Sequence, residues 1–119
     1  MLQDLFDCQD IHFNNIKNGF KIYEGRPNKP KYSILNVGKI IMIKNSNNLS
    51  EYVNVMITSL SFYKTFEDMI EDKGLENVLP DQYDMGVSTK TAVDNVYRKW
   101  YDEDTEQLYG VLCIGLKVL

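Results

Sequence analysis

Gly19-Phe20-Lys21-Ile22-Tyr23-Glu24-Gly25-Arg26 follows a short helical pattern and opens a strand. Upstream, Asp10 offers a helix N-cap ahead of Phe13 and Ile16, and Gly19 stands where a C-terminal stop belongs. What comes after that glycine is too short and too mixed for another helix, and Ile22 between Lys21 and Tyr23 fits a half-buried strand. On such a strand Lys21 and Tyr23 point one way while Ile22, Glu24 and Arg26 point the other. A carboxylate and a guanidinium therefore share one face. As a surface ion pair they contribute only ~0 to 1 kcal/mol. As part of a site, Glu24 would orient Arg26 toward a planar or phosphate-bearing ligand, which an arginine fork suits better than a lysine.

Working outward, Leu2 to Cys8 reads as an opening strand and Arg26-Pro27-Asn28-Lys29-Pro30 as a loop, because both prolines remove strand donors. Val37-Gly38-Lys39 is a turn into the β-rich run Ile40 to Ile43. After Asn45-Ser46-Asn47-Asn48 a hairpin partner follows, with Val53, Val55 and Ile57 alternating on one face. Thr65, with Asp68 three residues on, caps the next helix, and Gly74 stops it. After Pro80 the chain reads as loop until Ser88, which caps a helix with the stripe Val93, Val96, Tyr97 and Trp100. The last element, Tyr109 to Val118, alternates Leu112, Ile114, Leu116 and Val118 as a strand. Helices interrupting well-separated strands favour an α+β barrel over a bundle or a doubly wound sheet. No repeat or linker divides residues 1–119, so a single domain is expected.

The 119 residues carry a net charge of −4, which disfavours indiscriminate coating of nucleic acid. The charge is unevenly spread. Lys17, Lys21, Arg26, Lys29, Lys31, Lys39 and Lys44 surround the single acid Glu24, giving +6 between Lys17 and Lys44 against −10 elsewhere. The segment is either a phosphate-facing patch or lysines solvating loops and strand edges. Frequent asparagine, lysine, isoleucine and tyrosine suit an AT-rich genome.

Asp4 and Asp7 stand where a secretory signal would carry basic and then apolar residues, and no run approaches the ~20 apolar residues of a membrane span. A cytoplasmic or nuclear location is expected, and with two cysteines, Cys8 and Cys113, among apolar neighbours, no disulfide. His12 is the only histidine, and no ligand pair has zinc-site spacing, so no metal is expected. Asp102, Glu103, Asp104 and Glu106 read as a solvated turn. Phosphate-loop and dinucleotide motifs are absent, no serine sits in a nucleophile elbow, and no cofactor is implied.

Gly19, Lys21, Glu24 and Arg26 occupy the four places of the G-x-K-x-x-E-x-R signature, and the chain resembles the ASCH domain family. Further blocks are similar in order: Lys31-Tyr32-Ser33 before Val37-Gly38, Tyr63 to Phe66, Gly74-Leu75 to Leu79-Pro80, Tyr97 to Tyr101, and Tyr109-Gly110-Val111. The resemblance implies a small PUA-like β-barrel with flanking helices, a cleft beside the first helix walled by the signature residues, and an RNA or nucleotide ligand. Some small bacterial members hydrolyse an acetylated cytidine nucleoside with a lysine at the signature position and a threonine three residues later. Lys21 is kept here, but Glu24 fills the threonine place, and a carboxylate cannot do a hydroxyl's nucleophilic or relay work.

The expected function is an RNA- or nucleotide-binding module lined by Lys21, Tyr23, Glu24, Arg26, Lys29, Lys31, Tyr32 and Tyr63, the tyrosines serving either as stacking platforms or as core. The alternatives are a small amidohydrolase or nuclease acting on a modified nucleoside or RNA, and a protein-interaction adaptor using the acidic surface.

Overall fold

The computed structural model describes residues 3–119, with side chains from Asp7 onward. The first strand, β1 (Gln3–Cys8), lies where an opening strand is expected; Leu2 falls outside the described residues. Helix α1 (Asp10–Lys17) follows, with Phe13 and Ile16 buried as their spacing requires. Its N-cap is Gln9 rather than Asp10, whose carboxylate instead accepts from Asn45 Nδ2 at 2.8 Å. Gly19 takes the left-handed conformation, φ 81°, that ends the helix cheaply.

Strand β2 (Tyr23–Pro27) is shorter at its start than the alternation predicts and longer at its end. The amides of Phe20 and Lys21 both donate to Asn15 O and that of Ile22 to Asn77 O, so the chain is still turning at Lys21. Pro27 is tolerated inside β2 because this strand ends the sheet. A 3-10 turn (Pro30–Ile34) leads to the hairpin of β3 (Ile40–Asn45) and β4 (Asn48–Tyr63). Helix α2 (Phe66–Lys73) is capped by Thr65, whose hydroxyl accepts from Asp68 N at 3.0 Å, and stopped at Gly74.

A short helix, α3 (Leu75–Val78), follows Gly74, and α4 (Pro80–Asp84) occupies part of the stretch expected to be loop. Pro80 begins α4 instead of breaking structure, since the first helical position needs no amide donor. Ser88 caps α5 (Thr89–Asn95), but that helix ends before Val96 and gives way to a 3-10 turn (Tyr97–Lys99), so the stripe to Trp100 is broken. The acidic run is helix α6 (Glu103–Tyr109), capped by Asp102. Strand β5 (Val111–Val118) closes the chain.

Five strands among the described residues form one curled half-barrel sheet in the order β1-β3-β4-β5-β2, parallel between β1 and β3 and antiparallel elsewhere. The fold is thus α+β, consistent with a PUA-like barrel. Strand β5 is buried on both faces rather than one. Leu112, Ile114 and Leu116 join a core with Phe13, Ile16 and the β3 and β4 interior, while Val111 and Cys113 join a second core built by α2, α3, α5 and Tyr97. Cys8 and Cys113 are buried free thiols. Among the described residues no helix is long and apolar enough to cross a membrane.

Candidate functional site

The sheet is open between its two end strands, and side chains rather than a ladder bridge the gap. Glu24 pairs with Ile114 and Arg26 with Leu112 across the β2–β5 ladder, which puts both on the same face of β2. From there Arg26 Nη2 reaches Asp7 O on β1 at 3.0 Å, and Cys8 Sγ donates to Glu24 Oε2 at 3.2 Å. Above this seam lies a cleft of about 280 Å³, lined by Cys8, His12, Lys21, Arg26, Tyr97 and Trp100 among others.

Glu24 is the centre of its charge. It is 5 % exposed, not part of a surface pair, with Lys21 Nζ at 3.7 Å and Arg26 Nη2 at 3.4 Å. Lys21 is buried too and lies on Glu24's side of the chain, contrary to simple strand alternation, because the backbone turns there before β2 begins. Its ammonium also donates to Val78 O at the end of α3. Burial alone would raise the Glu24 carboxyl, but Lys21, then Arg26, His12 and the Cys8 hydrogen bond bring it down to about 2. Burial and then Glu24 push the Cys8 thiol far up, so it stays protonated and acts as a donor. Beyond Glu24 and Asp7 O, the Arg26 guanidinium donates toward the hydroxyls of Tyr32 and Tyr101.

Two groups in the cleft have no hydrogen-bond partner among the described residues although both atoms are buried: His12 Nδ1 and the Tyr97 hydroxyl. Burial, then the Lys21 charge, lower the pKa of His12, which leaves the imidazole neutral at pH 7. Tyr97 is 4 % exposed, and burial followed by the charge of Glu24 keeps its hydroxyl protonated. Gly25 makes room for it. A Cβ at that position would stand 3.0 Å from the Tyr97 hydroxyl and 2.6 Å from Met69 Cε.

Of the residues singled out in the sequence, Lys21, Glu24 and Arg26 come together at the cleft. Tyr32 is buried in the first core with its hydroxyl on Arg26, and Lys31 stands exposed with its ammonium 5.1 Å from the Tyr32 ring. Lys29 is half-buried near the Tyr109 ring, at 5.8 Å. Tyr23 packs on the helical core under Lys73, and Tyr63 donates to Asp72 beside a separate shallow groove. Sequence reasoning passed over Cys8, His12, Tyr97, Trp100 and Tyr101 as lining residues. The clustering of Tyr97, Trp100 and Tyr101 was the available signal, but helical spacing assigned it to a packing face. Among the described residues no group of three or more histidine, cysteine or carboxylate side chains is placed to hold a metal.

The ASCH domain model matches residues 7–119. Two solved structures are similar over nearly the whole chain. The crystal structure of the hypothetical protein PH0355 is 33 % identical, with 96 % of each chain covered and a TM-score of 0.80. The solution structure of protein PF0455 from Pyrococcus furiosus is 32 % identical, with 100 % of this chain and 98 % of that one covered and a TM-score of 0.72. No curated protein matches.

Proposed function

The chain belongs to the ASCH domain family, and on that footing we propose that it is an RNA- or nucleotide-binding module whose cleft receives one nucleotide unit of the ligand. The observation that carries this reading is the pair of buried, unsatisfied polar groups, His12 Nδ1 and the Tyr97 hydroxyl, on two residues that line a cleft floored by Lys21, Glu24 and Arg26. Leaving a buried polar group unpaired costs about 1 to 3 kcal/mol, and a ligand's hydrogen-bonding edge relieves that cost. A volume of about 280 Å³ suits a single ring-bearing unit and not a large substrate.

Binding is favoured over hydrolysis by the state of Lys21. Its Nζ donates to Val78 O and lies 3.7 Å from Glu24 Oε1, contacts that hold it as a donor in the floor rather than aim it at a substrate carbonyl. Titration calorimetry with short single- and double-stranded RNA and DNA, and with nucleoside monophosphates, tests the reading. Tyr97→Phe should weaken binding by about 3- to 10-fold, the worth of one net hydrogen bond, without lowering stability. No binding to any RNA or nucleotide would overturn the proposal. Turnover of acetylated cytidine that vanishes in Lys21→Ala would favour the hydrolase instead.

A further inference from the structure

Trp100 is the one tryptophan of the chain and is 61 % exposed, yet it lines the cleft. Its neighbours explain how it is presented. Tyr97 stacks on Phe66 with ring centroids 4.1 Å apart, and Tyr101 lies against the same Phe66 at 6.0 Å. Between these two anchored tyrosines, the Trp100 amide donates to Tyr97 O at 3.0 Å, which fixes the backbone that carries the indole. The helical core therefore holds both flanks of the segment and leaves the largest aromatic surface in it facing solvent at the cleft mouth.

We infer that Trp100 is the stacking platform of this cleft, so that the ligand class it admits is an unpaired nucleobase, in a single strand or extruded from a helix. The inference rests on the reading of the cleft as a nucleotide site and adds what the charged floor does not supply. A ring lying on the indole has one face covered by protein, in a cleft whose lining also holds His12 and Tyr97 with their unpartnered polar atoms. A base within a duplex has both faces already stacked and its pairing edge occupied, so it cannot take that place without leaving the helix. The backbone that carries the platform is anchored on both sides, which reduces the ordering its use requires.

Because no other tryptophan is present, emission excited selectively in tryptophan, at wavelengths where tyrosine does not absorb, reports on this site alone. Titrating the whole chain with a short mixed-sequence single-stranded RNA should quench or shift the emission, and the same RNA annealed to its complement should not. Trp100→Ala should weaken single-strand binding by about 10- to 100-fold, while Trp100→Phe, which keeps a stacking face, should retain most of it. Both variants should melt with the parent protein, since the indole is largely exposed. If Tyr97→Phe weakens binding but Trp100→Ala binds as the parent does, the cleft stands and the stacking role falls. Duplex bound as tightly as single strand also overturns the inference. If the parent chain binds none of these probes, the reading of the cleft falls and the inference with it.

Discussion

Glu24 sits between two buried or half-buried cations, so its removal is not the gentle change that a surface pair would allow. With a neutral amide in place of the carboxylate, Lys21 and Arg26 would stay desolvated with their common counter-charge gone. Breaking a buried pair from one side costs about 3 kcal/mol or more. Glu24→Gln should therefore lower the melting temperature by on the order of 10 °C for a domain of this size, as differential scanning calorimetry would show. The pH dependence has a definite sign. The carboxyl titrates at about 2 in the folded chain against an ordinary 4.5, so its contribution is complete above pH 4.5 and fades as pH falls toward 2. The parent should lose stability across that window more steeply than Glu24→Gln, and parallel curves would show the pairing to be energetically idle. Residue types at Gly19, Lys21, Glu24 and Arg26 were legible in the chain, because a signature is a matter of spacing. The burial of Glu24 was not, since it depends on β1 and α3 closing over β2 from distant parts of the sequence.

Among the elements, α6 shows how much an acidic run can conceal. Glu106 was read with its neighbours as solvated surface, yet it is 6 % exposed, receives Arg98 Nη2 at 2.9 Å and accepts from Phe66 N at 2.8 Å. One carboxylate thereby satisfies the first turn of α2 and ties it to the 3-10 turn that precedes Trp100. Asp104 on the same helix is exposed. Glu106→Ala should cost about 2 to 4 kcal/mol in urea denaturation, whereas Asp104→Ala should stay within about 0.5 kcal/mol. Equal small effects would mean that α2 does not depend on this cap. The caps at Thr65 and Ser88 could be read directly, because a cap and its amide are three residues apart. Helix α4 could not, because Pro80 signals a break and a first helical position alike. Helix α5 ends at Asn95, and Trp100 lies largely exposed beyond it.

At the scale of the whole molecule, the +6 carried between Lys17 and Lys44 is not a single basic surface. Lys21 and Arg26 are drawn into the seam with Glu24, and Lys17 lies 3.5 Å from Glu51 on β4. Lys39 and Lys44 belong to the start and the interior of the β3–β4 hairpin, where Lys39 donates to Ile34 O. Lys29 and Lys31, flanking the 3-10 turn whose Tyr32 holds Arg26, remain the natural contacts for a ligand backbone leaving the cleft. Each phosphate neutralised on a single strand contributes roughly 0.7 to the slope of log affinity against log salt. Two contacts predict a slope near −1.4, and a continuous patch of six charges predicts one near −4. Titrations of single-stranded RNA across a salt series should give the shallow value, and the Lys29→Ala/Lys31→Ala double variant should bring it close to zero while leaving Trp100 quenching at low salt. A steep slope in the parent, unchanged in the double variant, would place the phosphate track elsewhere on the molecule. The acidic remainder of the chain, at −10, gives the shallow slope its reason: distant phosphates of a long strand are repelled, so attraction is confined to the few nucleotides next to the cleft.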